Sequence, residues 1–160
     1  PADRTSNMNT GDHNSGLHFV KYPIYSDEDA GKREADYNEI RLAEIYYSLA
    51  ECKFKANDVD GAAKLLNAVR KRNYPQDTWA EYLYKPEGTV TLTQDELYDE
   101  WGREFLAEGR RRTDLIRWGL YCTEEWWDKK PDADSHWDIF PIPRNMKGAD
   151  HTLKQNPGYN

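Results

Sequence analysis

A chain that cleaves glycosidic bonds needs two carboxylates placed across a sugar-binding cleft, and the 29 acidic side chains here have no spacing that singles out such a pair. Other catalytic signatures are missing: there is no glycine-rich phosphate loop, no Gly-x-Ser-x-Gly elbow and no His-Glu-x-x-His. Cys52 and Cys122 lie far apart and match no Cys-x-x-Cys spacing, so they read as two free, mostly buried thiols. His13 and His18 lack a third ligand at a sensible spacing. Asp58-x-Asp60-Gly61 has Ala56 and Asn67 where a calcium loop needs its first ligand and its bidentate Glu. No catalytic residue, metal ligand or cofactor is therefore assigned. What remains is aromatic chemistry. Six Trp and eleven Tyr supply flat apolar rings that suit the C–H faces of sugars. Trp79 and Tyr82, in a long aromatic connection over 73–92, and Trp126 and Trp127, in a second over 121–137, are the candidate ligand-binding residues. Gln76, Asp77 and Glu81 stand beside the first pair to bond hydroxyls. The same rings could instead pin their loops to the core. Two adjacent Trp on a helix cannot both face one core, so one of Trp126 and Trp127 is expected at the surface.

The elements that must hold these loops read as helices. Leu42, Ile45, Tyr46 and Leu49 form one apolar stripe, with Ala43, Tyr47, Ala50 and Phe54 in a second beside it, so this helix is expected to be buried on two sides. Asp58 is the expected N-cap of the next helix, whose inner face carries Ala62, Leu65, Leu66 and Val69. The pair fits a tetratricopeptide-repeat register, and one such hairpin cannot bury its faces alone. The stretch from Gln94 to Leu120 is the natural second hairpin. It opens on a capping box of Thr93 and Glu96, carries Leu97, Trp101 and Phe105 on one face with Tyr98 and Leu106 beside them, and has a natural break at Gly109. Its run Arg110, Arg111, Arg112 and Arg117 reads as a solvated or ion-paired face.

Composition limits the partners. At 160 residues and a net charge of −7, the chain is one domain's worth of acidic protein, which argues against nucleic-acid binding. No apolar run approaches the roughly 20 residues needed to span a bilayer. Residues 1–35 are rich in Asn, Asp, Ser, Gly and Thr and read as an extended lead-in arm with one strand-like piece, Leu17 to Tyr22. The fold class is thus all-α: stacked tetratricopeptide-like hairpins with long aromatic-rich loops behind an extended N-terminal arm.

Glu104-Phe-Leu-Ala-Glu-Gly-Arg-Arg-Arg-Thr-Asp-Leu-Ile-Arg-Trp-Gly119 resembles the signature helix pair of the SusD/RagB family, the glycan-capturing outer-membrane lipoproteins of Bacteroidetes. Tyr37 to Arg72 is similar to that family's helical hairpin, and His136 to Pro143 and Gln155 to Tyr159 are similar to its carboxyl-terminal segments. One departure stands out: the family usually places an Arg directly after the acidic residue where this chain has Glu100 followed by Trp101. The resemblance implies that residues 36–160 are the carboxyl-terminal helical domain of a longer, lipid-anchored protein on the outer face of the outer membrane. It implies non-enzymatic capture of an oligosaccharide or other nutrient for import through a SusC-type TonB-dependent transporter, with contact to the membrane only through the upstream anchor. A tetratricopeptide-type protein-interaction module is the alternative, and a glycosidase accessory domain a third reading.

Overall fold

Ala43, Tyr47 and Ala50 recur at helical spacing and are buried along one face of α1 (Leu42–Lys55), while α2 (Val59–Arg70) answers with Ala62, Ala63, Leu66 and Val69. Small side chains on both partners let the two helices approach closely. The Asp58 side chain accepts the Gly61 amide at 2.9 Å, which is the expected cap, and Lys53 holds the same carboxylate at 2.7 Å. The structure, a computed structural model, describes Lys21, residues 37–126 and residues 129–159. The expected N-terminal arm, with His13 and His18, lies outside the described residues apart from Lys21, and so does Trp127.

Three further helices and a single turn complete the set: α3 (Trp79–Tyr82), α4 (Gln94–Glu104), α5 (Arg111–Arg117) and α6 (Arg144–Ala149). Short 3-10 turns lie at Lys71–Asn73, Gln76–Thr78 and His136–Asp138. Among the described residues there is no strand, only two isolated bridges, so the fold is all-α. The described residues form two compact units that divide between Glu108 and Gly109. Helices α4 and α5, read from sequence as one hairpin, belong to different units.

In the first unit α4 lies against the α1–α2 pair. Trp101 meets Tyr47 edge-on at 5.6 Å, and Phe105 meets Tyr47 in the same way at 5.4 Å. Half of the capping box forms, with the Thr93 hydroxyl accepting the Glu96 amide at 3.1 Å. The Glu96 carboxylate turns instead to the Tyr84 hydroxyl, 2.8 Å away, and to Arg103. Helix α4 stops at Glu104, and Ala107 and Gly109 both take positive φ, at 60° and 73°. Leu106 therefore falls beyond the helix and is exposed rather than on its apolar face.

That turn explains the acidic half of the Glu-Phe-Leu-Ala-Glu-Gly motif. Glu108 takes a two-pronged bond from Arg41, with Nε and Nη2 each donating at 2.8 Å, while Arg41 Nη1 reaches Glu104 at 2.5 Å. Arg72 pairs with Glu104 as well, and the Arg41 guanidinium lies 4.4 Å from the Phe105 ring centre. The motif thus ties the end of α4 to the residue preceding α1 and to the residues following α2.

One expectation is overturned. The stripe of Leu42, Ile45 and Leu49 on α1 is not covered: Leu42 is 70% exposed, Ile45 56% and Leu49 49%. Both α2 and α4 engage the Tyr47 side of α1, so the stripe rotated away from it faces outward.

The second unit is organised by its arginines. Asp114, buried on α5, is held by Arg110 at 3.1 Å and Arg117 at 3.0 Å. Arg112 donates to the Trp137 carbonyl at 2.6 Å and lies 4.0 Å from the Phe140 ring centre, while Arg117 sits over Trp118 at 4.6 Å. The basic run is therefore consumed in ion pairs and ring contacts, as its reading as an ion-paired face expected. At the end of the chain the Gln155 side-chain amide pairs with both backbone groups of Ile142, at 2.7 and 2.9 Å, and Asn156 donates to the Phe140 carbonyl at 2.7 Å. Gly158, at φ 87°, brings the backbone so close that a Cβ there would lie 2.3 Å from His136 Cβ.

Candidate functional site

The aromatic connection between α2 and α4 is held at its inner end by two residues three apart on α2. Asn67, fully buried, donates to the Tyr84 carbonyl and accepts the Tyr84 amide, both at 2.9 Å. Arg70 donates to the Tyr82 carbonyl at 2.7 Å and lies 5.3 Å and 4.9 Å from the ring centres of Tyr74 and Tyr84. A helix presents residues i and i+3 on one face, so a single strip of α2 clamps the whole returning segment. Lys85 and Val90 close the loop with a backbone bond of 2.9 Å, and Gly88 fits there because a Cβ would meet the Leu83 carbonyl oxygen at 2.2 Å.

Beneath the loop lies a network of charge. Glu100, only 3% exposed, accepts the Tyr47 hydroxyl at 2.9 Å and Arg103 Nε at 2.8 Å and pairs with Arg70. Burial, followed by the charge of Glu100, pushes both the Tyr47 and the Tyr84 phenols well above the ordinary tyrosine range. Glu100 and its two arginines form the ion-paired centre of this unit, although Trp101 follows it where the related pattern has an Arg.

The outer end of the loop carries the candidate rings. Tyr82 stacks on Tyr74 with centroids 4.6 Å apart and planes 10° from parallel, and it remains 37% exposed. One face of Tyr82 is thereby covered by Tyr74. Trp79 is half-buried. Its indole N–H donates to the Tyr74 carbonyl at 3.0 Å, and Lys71 sits 5.0 Å from its ring centre. Lys71 also pairs with Glu87 and holds that carboxyl below the usual range. Gln76, Asp77 and Glu81 are exposed close by in sequence. Trp79 and Tyr82 are thus brought together, and Tyr74, not singled out from sequence, is the residue that joins them. The signal for it was slender, since Tyr74 and Tyr82 lie on no common helix or strand whose period could relate them.

Trp126 belongs to the second unit, on a two-bond backbone bridge with Lys129 rather than on a helix. It is partly exposed, and the Lys129 ammonium lies 5.0 Å from its ring centre. Trp137 and Phe140, missed as candidates, are more exposed than Trp126.

Among the described residues the buried carboxylates Glu51, Glu100, Glu104 and Asp114 are each paired with Lys or Arg. Among the described residues no group of three or more His, Cys, Asp or Glu could hold a metal ion. Both thiols are free: Cys122 is buried 3.3 Å from Asp138, with its thiol pushed up by burial, but Cys52 is exposed, contrary to expectation. It faces outward because α1 turns its Tyr47 side, not its Cys52 side, to the other helices. Among the described residues no helix is long and apolar enough to cross a membrane.

Comparison with known proteins adds direct relatives. Residues 1–134 match the family described as the SusD family. The starch-binding protein SusD of Bacteroides thetaiotaomicron is 35% identical over 161 residues, covering 90% of this chain and 26% of its own length. The SusD-like protein P25 of Formosa agariphila is 36% identical over 81 residues, covering 50% of this chain and 15% of its own. The chain therefore spans about a quarter or less of the length of these curated relatives.

Proposed function

Because the chain belongs to the SusD family, we propose that it is the helical portion of a surface lipoprotein that captures an oligosaccharide, without chemistry, for import through a SusC-type TonB-dependent transporter. The observation that carries this reading is the exposed Tyr82 ring, backed by the Tyr74 ring, with Arg70 holding the Tyr82 carbonyl. A ring so supported is already ordered before a sugar arrives, which lowers the entropic cost of stacking. The starch-binding activity named for the relative that covers 90% of this chain supports a glycan as the ligand. Trp79, with its N–H already bonded, contributes its ring rather than a donor, and Trp126 and Trp127 are proposed as further stacking residues.

The test is titration calorimetry of the full-length protein with a panel of neutral oligosaccharides that includes maltoheptaose. Tyr82→Ala should weaken binding of the bound saccharide by about 1–3 kcal/mol, taking the stacking of bases on aromatic side chains as the guide. Unchanged affinity in a folded variant would remove Tyr82 from the site.

The exposed Leu42, Ile45 and Leu49 stripe favours a second reading, a tetratricopeptide-type module that binds another protein. It takes first place if no saccharide binds the full-length protein.

A further inference from the structure

A cavity in the first unit shares no residue with the aromatic loop. Its volume is about 230 Å³, and Glu51, Phe54 and Lys55 from the last turns of α1, Asn57 from the following turn, and Gln94 and Leu97 from the start of α4 line it. A water claims about 30 Å³ of the liquid, so the space matches roughly eight waters, room for one sugar ring.

The lining decides the class of ligand. Glu51 and Lys55 form an ion pair at 2.8 Å, so the carboxylate and ammonium balance each other and an ionic ligand would meet no surplus of opposite charge. Asn57 and Gln94 each bring an amide that both donates and accepts, the mixed demand of sugar hydroxyls. Gln94 donates to the Tyr98 hydroxyl at 2.7 Å, which fixes the orientation of its amide. Phe54 and Leu97 supply an apolar wall for a C–H face. Asn57 sits at φ 61° in a turn where its amide nitrogen bonds the Phe54 carbonyl at 2.9 Å, so its side chain is carried on a set backbone. An apolar wall, two amide side chains in the lining and a neutral charge balance fit a neutral pyranose.

We propose that this cavity is a binding site for a single neutral hexopyranose, additional to the stacking face of the aromatic loop. The site does not depend on that face.

Saturation-transfer NMR on the full-length protein with D-glucose and D-galactose tests it. Asn57→Gly keeps the backbone, because glycine adopts this φ freely, and removes only the amide. The expected result is transfer to at least one of the two sugars, reduced roughly fivefold or more in Asn57→Gly, the effect of losing about one hydrogen bond, and retained in Tyr82→Ala. Absence of transfer in the wild type, transfer indifferent to Asn57→Gly, or transfer lost with Tyr82→Ala overturns the proposal. The last two outcomes leave the loop reading standing, whereas oligosaccharide affinity unchanged in Tyr82→Ala would overturn that reading and spare this site.

Discussion

Replacing Glu100 with alanine is expected to lower the stability of the protein by about 3–5 kcal/mol, because Arg70 and Arg103 then lose the anion they share. Arg70 is itself 7% exposed, so its charge cannot recover hydration without opening the unit. The Tyr47 hydroxyl, buried at the middle of α1, loses its acceptor at the same time. The damage should spread outward, since Arg70 also holds the Tyr82 carbonyl and the Tyr74 ring. Urea unfolding followed by tryptophan fluorescence measures the effect. A loss below about 1 kcal/mol, the range of an exposed ion pair, would show that the network is solvated.

The second large effect is steric. Trp101 is 2% exposed and wedged against Tyr47 and Phe105, and Trp101→Ala should cost about 3–5 kcal/mol through lost burial and the cavity left behind. Its neighbours are rings fixed by other contacts: Tyr47 by Glu100, Phe105 by Arg41. The site therefore cannot collapse easily, which places the cost toward the upper end. Thermal unfolding by calorimetry reads it directly. A variant within 1 kcal/mol of the parent would mean that α4 is not anchored through this ring.

The two effects bear on how much of this fold was legible in its sequence. Local signals carried through: Asp58 caps α2, Thr93 caps α4, and the inner stripe of α1 is buried. Each depends on residues within one or two helical turns, where spacing alone determines who meets whom. Partners chosen across tens of residues were not legible. Nothing in spacing says that Glu108 seeks Arg41, or that Glu96 abandons its capping role for Tyr84 and Arg103. A charged side chain goes to whichever partner the packing of other elements brings near, and that packing is a tertiary result. The outer stripe of α1 shows the converse, because periodicity reports that a face is apolar but not what covers it.

The candidate site divides in the same way. Tyr82 and Trp126 are both partly exposed, but Trp126 sits on a bridge rather than the helix from which exposure of one of Trp126 and Trp127 was argued. The pairing of Tyr82 with Tyr74 depends on Arg70 drawing the loop back to α2, a contact twelve residues along the chain. The resemblance carried by Glu104 to Gly119 rested on residues now seen to do structural work: Glu104 and Glu108 hold Arg41, and Asp114 is held by Arg110 and Arg117. A signature of this kind identifies the scaffold.

Capture without chemistry is tested most directly by incubating the full-length protein with the neutral oligosaccharide that binds it best, measuring binding by calorimetry and then recovering the saccharide for chromatography. Saturable binding with the saccharide returned at its original length is the expected result. Shortened products, or no binding by any member of the panel, would contradict it.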